Sequence, residues 1–119
     1  MHELSLADAV VQICCEHAEG RRVAGVEVRV GRLRQVVPDS LAFAFELVAV
    51  GTPVEGAELE IVEVPARVRC AACDAETEVD RFPLVCGRCG GFAVDVVAGE
   101  ECHVESLEIE HAPVAVAGR

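Results

Sequence analysis

The chain has 119 residues, which is enough for one compact domain, or for one core with a small metal-held appendage, but not for two enzyme-sized domains. Its formal net charge of -11 disfavours nucleic acid as a partner, because affinity for a phosphate backbone comes largely from clustered cations. Although 52% of the residues are hydrophobic, charged residues interrupt the apolar runs well before the roughly 18 residues that a membrane-spanning helix needs.

The N-terminal sequence and the cysteines together indicate the compartment. Met-His-Glu-Leu-Ser carries no basic region, long apolar segment or small-residue cleavage site, so we expect a cytoplasmic protein whose mature chain begins at Met1. The cytosol keeps ordinary thiols reduced. Seven cysteines in such a protein therefore indicate metal or thiol chemistry rather than a disulfide framework.

Two segments predict amphipathic helices. From Leu4 to Glu19, apolar residues recur at helical spacing, Ser5 with Asp8 resembles a capping box, and Gly20 is expected to end the helix. The helix start could also lie a few residues earlier. Pro38 opens the second helical pattern, which ends before Gly51. The positions expected to face the core are Leu6, Val10, Ile13 and Cys14 in the first helix and Leu41, Phe45 and Val48 in the second.

Three segments alternate apolar and charged residues, as half-buried strands do: 26–30, Glu58 to Val64, and Val104 to His111. They predict a three-stranded sheet with two helices on one face, which is an α+β core. Four cysteines lie between the second and third strands. The expected organisation is a main domain of residues 1–64 and 99–119 with a small domain, residues 65–98, inserted into it.

The motif with the strongest chemical meaning is Cys70-Ala-Ala-Cys73, twelve residues, then Cys86-Gly-Arg-Cys89. Each two-residue gap lets one tight turn present two sulfurs to a single ion, and two such turns complete the tetrahedron that Zn(II) prefers. Four thiolates also close the coordination shell, so a structural zinc in a small zinc-ribbon-like domain is expected. Two disulfides, a redox-active CxxC or reduced buried thiols are the alternatives.

The N-terminus predicts a second metal site. A free α-amine at Met1, the following backbone amide and the His2 imidazole can close consecutive chelate rings around one ion. With a further donor from Glu3, this nitrogen-rich set suits Ni(II) or Cu(II). Because the amine and the imidazole must lose protons, metal binding is expected to weaken as pH falls. The alternative is an ordinary terminal histidine on a frayed end.

The chain also resembles a known family, on motifs that together span nearly its whole length: Met1-His2-Glu3-Leu4-Ser5, the Val37-Pro38 helix start with Leu41, Phe43, Ala44 and Phe45, and the paired CxxC motifs. These resemble the HypA/HybF family of nickel metallochaperones for hydrogenase maturation. The resemblance implies a nickel-binding domain that carries the N-terminal site, an inserted zinc domain, and Ni(II) as transferred cargo. The implied partners are the nickel-handling GTPase HypB and the large subunit of [NiFe] hydrogenase.

In that family the residue matching His2 is the essential nickel ligand, and the residue matching Glu3 contributes to the site or to partner docking. Some members take a nickel ligand from the zinc domain, but no His lies between Cys70 and Cys89 here. The complete nickel coordination therefore stays open, and a homodimer is possible although no feature of the chain demands one.

Two other classes of function are alternatives to this one. A zinc-ribbon adaptor protein without nickel function would carry a basic or aromatic binding face, and a thiol oxidoreductase would carry an accessible low-pKa cysteine and no stable zinc. The sequence has no nucleophile motif, glycine-rich phosphate loop or paired catalytic carboxylates. Enzyme activity is therefore not expected.

The remaining residues of metal-binding or charged type are interpreted as structural. Cys14 and Cys15 are expected to be one buried and one partly buried thiol, and Cys102-His103 part of the return into the last strand. The alternative for both pairs is a role as metal ligands, for which Cys102-His103 is the better candidate by residue type. Five of the ten Arg of this Lys-free chain lie between Arg21 and Arg34, which we interpret as a solvated edge and loop. The acidic segment 100–110 is expected to be a solvated strand face; the alternative is a patch that docks an Arg-rich partner or attracts cations.

Overall fold

The computed structural model of the protein describes residues 2–80, 82–110 and 112–115. Within these ranges the chain forms two α-helices, one short 3-10 turn and seven β-strands. In chain order they are α1 (His2–Ala18), β1 (Val23–Gly31), the 3-10 turn Arg32–Arg34, α2 (Pro38–Ala49), β2 (Glu58–Val64), β3 (Ala66–Cys70), β4 (Glu76–Val79), β5 (Val94–Ala98), β6 (Cys102–Ile109) and β7 (Ala112–Ala115). None of these helices is long and apolar enough to cross a membrane.

The described residues divide into two compact units. One, called here the helical unit, contains residues 2–29, 36–62 and the chain from 103 onward. The other, called here the cysteine unit, contains residues 30–35 and 63–102. The end of β1 and the 3-10 turn that follows it therefore belong to the cysteine unit, together with strands β3 to β5.

Helix α1 begins at His2, which is the earlier of the two expected starts. Ser5 consequently lies inside the helix, and the prediction that it caps the helix with Asp8 is wrong. The predicted core positions Val10 and Cys14 are buried, while Leu6 and Ile13 are half-buried. After Ala18 the chain leaves the helix through positive φ angles of 52° at Glu19 and 84° at Gly20, so the predicted stop at Gly20 is confirmed.

Helix α2 has the bounds that the sequence predicts. Pro38 occupies the first turn, where its missing N–H costs no helical hydrogen bond, and the helix ends at Ala49 before Gly51. Leu41 and Phe45 are buried, as predicted, and Val48 is half-buried. Helices α1 and α2 pack against each other.

The sheet of the helical unit has the strand order β2-β1-β6-β7. Its first three strands are the predicted ones, and Val26 and Val28 of β1 point into the core as the alternation indicates. This confirms an α+β fold. Strand β7 adds a fourth, antiparallel strand at the edge, where Pro113 pairs with Glu108. A proline lacks the N–H that a central strand needs, but it is accepted in an edge strand.

The cysteine unit contains a second antiparallel sheet with the order β4-β3-β5. Its central strand β3 pairs with β4 from Ala66 opposite Val79, and with β5 up to Cys70 opposite Val94. The buried core of this sheet is small: Ala66, Val68 and Val79, with Leu33, Leu84, Val94 and Val96 packed partly buried around it. A core of this size supplies little hydrophobic stabilisation.

Candidate metal centre

The two CxxC turns have the same backbone geometry. In each turn, the N–H of the first cysteine donates a hydrogen bond to the carbonyl of the residue five positions later. The carbonyl of the same cysteine accepts a hydrogen bond from the N–H of the residue four positions later. All four bonds in the two turns are 2.9 Å long. The residue after the second cysteine adopts a left-handed conformation, with φ of 63° at Asp74 and 74° at Gly90. The same CxxC turn, with the same backbone conformation, therefore occurs twice, and each copy presents a pair of sulfurs.

The turns bring all four predicted zinc ligands together. Cys70 lies at the end of β3 and Cys73 in the turn before β4, whereas Cys86 and Cys89 lie in the connection from β4 to β5. The four Sγ atoms all lie within 4.8 Å of one another. The Cys70–Cys89 and Cys73–Cys86 sulfur pairs are 3.6 and 3.5 Å apart, respectively.

These distances fit a tetrahedral zinc site. Four sulfurs at about 2.3 Å from a common centre lie about 3.8 Å from each other. A disulfide requires about 2.05 Å between the sulfurs, and all four cysteines are free thiols. The arrangement therefore matches a closed four-cysteine zinc site and leaves no open position for a substrate.

Backbone amides favour the thiolate form that zinc requires. The N–H groups of Cys89 and Arg88 point at the Cys86 sulfur, both at 3.4 Å, and lower the pKa of Cys86 to about 6. The N–H groups of Cys73 and Ala72 likewise hold the pKa of Cys70 below its usual value. These amides lie within the CxxC turns themselves, so the turn geometry stabilises the negative charge of the first sulfur of each turn. At the second cysteines a backbone amide again favours the thiolate, but contacts with the neighbouring thiols and burial outweigh it, which raises the pKa of Cys73 to about 11 and that of Cys89 above its usual value.

A residue outside the motif supports the second turn. The Thr77 hydroxyl on β4 accepts a hydrogen bond from the Gly87 N–H at 3.0 Å. A side chain at Gly87 would place its Cβ 2.7 Å from the Thr77 methyl group, so it would force Thr77 to move and would disturb this hydrogen bond. The sequence pattern did not identify Thr77 as part of the site, because its partner lies ten residues away and no spacing rule joins the two.

The predicted nickel ligands belong to the helical unit. Met1 lies outside the described residues, and His2 is the first residue of α1. The Glu3 carboxylate accepts a hydrogen bond from the backbone N–H of Val37 at 3.3 Å. Glu3 therefore ties the first turn of α1 to the start of α2, a contact that sequence spacing does not reveal.

The other cysteines and His103 have structural surroundings. Cys14 is fully buried, and burial, with the neighbouring Cys15, raises the pKa of its thiol to about 12. Burial also raises the pKa of Cys102. The His103 ring nitrogen lies 2.9 Å from the Glu105 carboxylate. Among the side chains that the structure describes, no second group of three metal-binding residues comes as close together as the four zinc-ligand candidates.

The arginines between 21 and 34 do not form a free cationic patch. Each of the five has a carboxylate or carbonyl partner: Arg21 with Glu19 at 3.6 Å, Arg22 with the Glu55 carbonyl at 3.0 Å, Arg29 with Glu27 at 3.5 Å, Arg32 with Asp80 at 3.9 Å, and Arg34 with the Glu100 carbonyl at 2.8 Å. Most of these contacts are exposed and contribute little stability each. Three of the five charges are thus offset by a nearby carboxylate, and the other two side chains are held against a backbone carbonyl.

Comparison with known proteins gives one family throughout. Residues 1–109 match the family model described as hydrogenase/urease nickel incorporation, metallochaperone, HypA. The hydrogenase maturation factor HypA of Geotalea uraniireducens is 46% identical over 110 residues, which cover 92% of this chain and 100% of the relative. The hydrogenase maturation factor HypA of Geobacter sulfurreducens is 44% identical, again over 92% of this chain and 100% of the relative. That of a Nostoc species is 37% identical over 92% of this chain and 96% of the relative.

Two solved structures share the fold. The solution structure of the Ni metallochaperone HypA from Helicobacter pylori superimposes with a TM-score of 0.67 at 26% identity, covering 92% of this chain and 97% of the other. A second solution structure, of a HypA protein, gives a TM-score of 0.68 at 26% identity and covers 92% and 96%.

Proposed function

Because the chain belongs to the HypA family, we propose that it binds Ni(II) at its N-terminus and delivers the ion during maturation of [NiFe] hydrogenase. The observation that carries this proposal is the family match, which runs from residue 1 and so includes Met1, His2 and Glu3. The four-cysteine cluster supports it from the other unit, as a structural zinc site separate from the cargo. The protein then acts by ligand exchange and not by catalysing a bond-making step.

The proposed nickel ligands are the α-amine of Met1, the backbone amide and imidazole of His2, and Glu3. Helix α1 begins at His2, and the first N–H groups of a helix have no acceptor within it. The amides next to the proposed ion are therefore not committed to helical hydrogen bonds. The Glu3 contact with the Val37 N–H supports a role for Glu3 in fixing the first turn of α1.

The position of the proposed site at the start of helix α1 also affects how readily Ni(II) is released. The positive end of a helix dipole disfavours a nearby cation by about 0.3–1 kcal/mol per charge. Micromolar affinity corresponds to about 8 kcal/mol, so the dipole weakens binding without abolishing it. The net charge of -11 acts in the opposite sense by attracting cations at long range. A carrier must release its cargo, and this balance suits reversible binding.

The remaining assignments follow the same proposal. We assign nickel binding to a domain of residues 1–64 with 99–119, and zinc binding by Cys70, Cys73, Cys86 and Cys89 to the inserted residues 65–98. The compact units have somewhat different bounds, since residues 30–35, 63–64 and 99–102 belong to the cysteine unit. The proposed partners are the nickel-handling GTPase HypB and the hydrogenase large subunit, in the cytoplasm. A homodimer is not required for any of these steps.

Calorimetric titration of nickel tests the N-terminal site. The protein must carry a native, untagged N-terminus, and its zinc content is quantified first. We expect wild type to bind about one Ni(II) per chain, and His2→Ala to lose at least about tenfold in affinity while keeping one Zn(II), because the variant lacks the imidazole that closes a chelate ring. The same titration at lower pH should give weaker binding, since protons compete for the ligands.

His17→Ala is the matched control, because His17 lies in the same helix as His2 but near its other end, where its ring nitrogen is 2.9 Å from the Ile13 carbonyl. It should bind nickel as wild type does. If His2→Ala and wild type gave the same affinity, the N-terminal site would be wrong, and a zinc-ribbon adaptor without nickel function would become the better interpretation.

A further inference from the structure

We propose that the outward side of helix α2 is a docking surface for a protein partner that presents an apolar stripe flanked by Lys or Arg. This surface, called here the α2 outer face, consists of Phe43, Leu47 and Val50. The proposal goes beyond nickel binding, since it assigns the place where a partner contacts the chain and the chemistry of that partner.

The three side chains lie on one side of the helix and are all exposed. Their spacing of four and three residues places them on a single face at the end of α2 and the residue after it. Their exposed fractions are 63% for Phe43, 56% for Leu47 and 63% for Val50. Isolated exposed apolar residues are common, but three large ones in a row along a helix form a patch, and patches of this kind mark interaction sites.

The opposite side of α2 is already buried. Leu41, Ala44, Phe45 and Ala49 face the core, so packing of the fold needs only that side. Among the twelve residues of α2 only Asp39, Ser40 and Glu46 are polar. A helix that is apolar on all sides is normally buried on all sides. Here the second apolar side faces solvent, and a partner is the simplest way to cover it.

Two further exposed apolar residues lie next to the Glu3–Val37 contact in sequence or within it. Val37 immediately precedes α2 and is 53% exposed, and Leu4 of α1 is 50% exposed. The Glu3–Val37 hydrogen bond holds the first turn of α1 against this end of α2. A partner that covers the α2 outer face is therefore brought close to the first turn of α1.

Charge distinguishes the partner from a second copy of the chain. The exposed residues Asp39 and Glu46 accompany the apolar stripe, and α2 carries no Lys or Arg. Pairing of two α2 outer faces would bring carboxylates from both copies together, in a protein of net charge -11. Like charges across an interface are strongly unfavourable, whereas cations beside an apolar stripe complement this face.

The size of the surface indicates a transient complex. A fully buried aromatic side chain covers about 150–250 Å², so three to five partly exposed side chains offer a few hundred Å². A stable specific interface buries about 800 Å² on each partner. The α2 outer face is thus suited to brief contact, in which a few anchors such as Phe43 provide most of the binding energy.

The test uses two synthetic amphipathic peptides with the same helical repeat of Leu, one with Lys and one with Glu at the polar positions. Each is titrated into isotope-labelled, zinc-loaded, nickel-free full-length protein and followed by NMR. We expect the Leu/Lys peptide to shift the amides of α2 and the first turn of α1, and Phe43→Ser to weaken its binding about tenfold. The Leu/Glu peptide should bind at least about tenfold more weakly than the Leu/Lys peptide.

Phe92→Ser is the matched control, because Phe92 in the cysteine unit is even more exposed, at 73%. It should leave peptide affinity unchanged, and circular dichroism should show that both variants retain their helices. The chain has no Lys, so a carbodiimide can couple Asp39 and Glu46 to the lysines of the peptide without competing lysine side chains from the protein.

Three results would overturn the proposal: equal loss of affinity in both variants, equal binding of both peptides, or self-association of the protein that Phe43→Ser abolishes. The last result would identify a second copy as the occupant. The experiment contains no nickel, so a negative result would not contradict the proposed N-terminal nickel site. Likewise, evidence against the nickel site would not contradict the proposed docking surface.

Discussion

At Gly31, on the last position of β1, only a hydrogen atom fits beside the neighbouring backbone. A Cβ at this position would overlap the Gly99 carbonyl, and Gly99 itself has a φ of 109° that favours glycine. Two hydrogen bonds fix this close approach, from the Gly31 N–H to the Glu101 carbonyl at 2.6 Å and from the Leu33 N–H to the Gly99 carbonyl at 2.9 Å. The alternating pattern of 26–30 does not reveal this constraint, because the residue that crowds Gly31 lies far away along the chain.

Gly31→Ala should therefore destabilise the protein by about 2–4 kcal/mol, since backbone on both sides must move to admit the methyl group. Gly25→Ala in the same strand is the matched control. Its Cβ would lie 3.4 Å from the flexible Glu108 carboxylate and 3.6 Å from the Glu58 carbonyl, so we expect a change within about 1 kcal/mol. Denaturant unfolding at fixed zinc concentration measures both, and similar effects at the two glycines would contradict the close packing at Gly31.

Helix α2 packs against the core with one side, and its opposite, solvent-exposed side is also apolar. Phe43 and Phe45 are two residues apart, yet one is 63% exposed and the other only 2%. Two residues correspond to about 200° of rotation around a helix, so the side chains point to nearly opposite sides. Composition alone cannot distinguish their roles, whereas helical periodicity assigns Phe45 to the core.

Phe45→Ala should cost about 3–5 kcal/mol of folding free energy, because it removes a buried ring and leaves a cavity. Phe43→Ala should cost less than about 0.5 kcal/mol, because its ring is mostly in water. Thermal or denaturant unfolding of the two variants gives the comparison directly. If truncation of Phe43 proved as destabilising as that of Phe45, the outer side of α2 would belong to the core and could not be a docking surface.

Much of the fold at the level of elements was predictable from sequence, for identifiable reasons. Alternation in 26–30 and in Glu58–Val64 reflects burial of one sheet face, and Pro38 marks a helix start through its own geometry. The four zinc-ligand candidates were predictable because the CxxC spacing is a local property of a turn. Strand β7 was not, because Pro113 makes its sequence look unlike a strand and its pairing depends on β6. The contact between Glu3 and Val37 is likewise a tertiary property.

At the scale of the whole molecule, the two units differ in what can stabilise them. The helical unit buries residues from two helices and a sheet, whereas the hydrophobic cluster around β3 and β4 in the cysteine unit has three buried residues, Ala66, Val68 and Val79. Structural zinc can contribute on the order of 10 kcal/mol in small domains. We therefore expect the cysteine unit to depend on its metal and the helical unit to depend on its hydrophobic core.

Cys86→Ser should abolish stoichiometric zinc binding and remove hydrogen-exchange protection from the amides of β3, β4 and β5, while the amides of α1 and α2 stay protected. Zinc quantification by mass spectrometry together with hydrogen exchange measures both effects. Cys102→Ser is the control, because Cys102 lies outside the four-cysteine cluster and the variant should keep one zinc per chain. Retention of a full zinc complement by Cys86→Ser would show that the cluster is not the binding site.

The 3-10 turn Arg32–Arg34 has a consequence for any attempt to move the cysteine unit elsewhere. Leu33 packs against the small core around Val68, and the Arg34 side chain donates to the Glu100 carbonyl at 2.8 Å, although both residues precede α2 in the chain. A fragment containing only residues 63–102 would lack this turn. The cysteine unit therefore cannot be transferred to another protein as one continuous segment. A graft must also include residues 30–35, and it must join two segments that the native sequence separates by a helix and a strand.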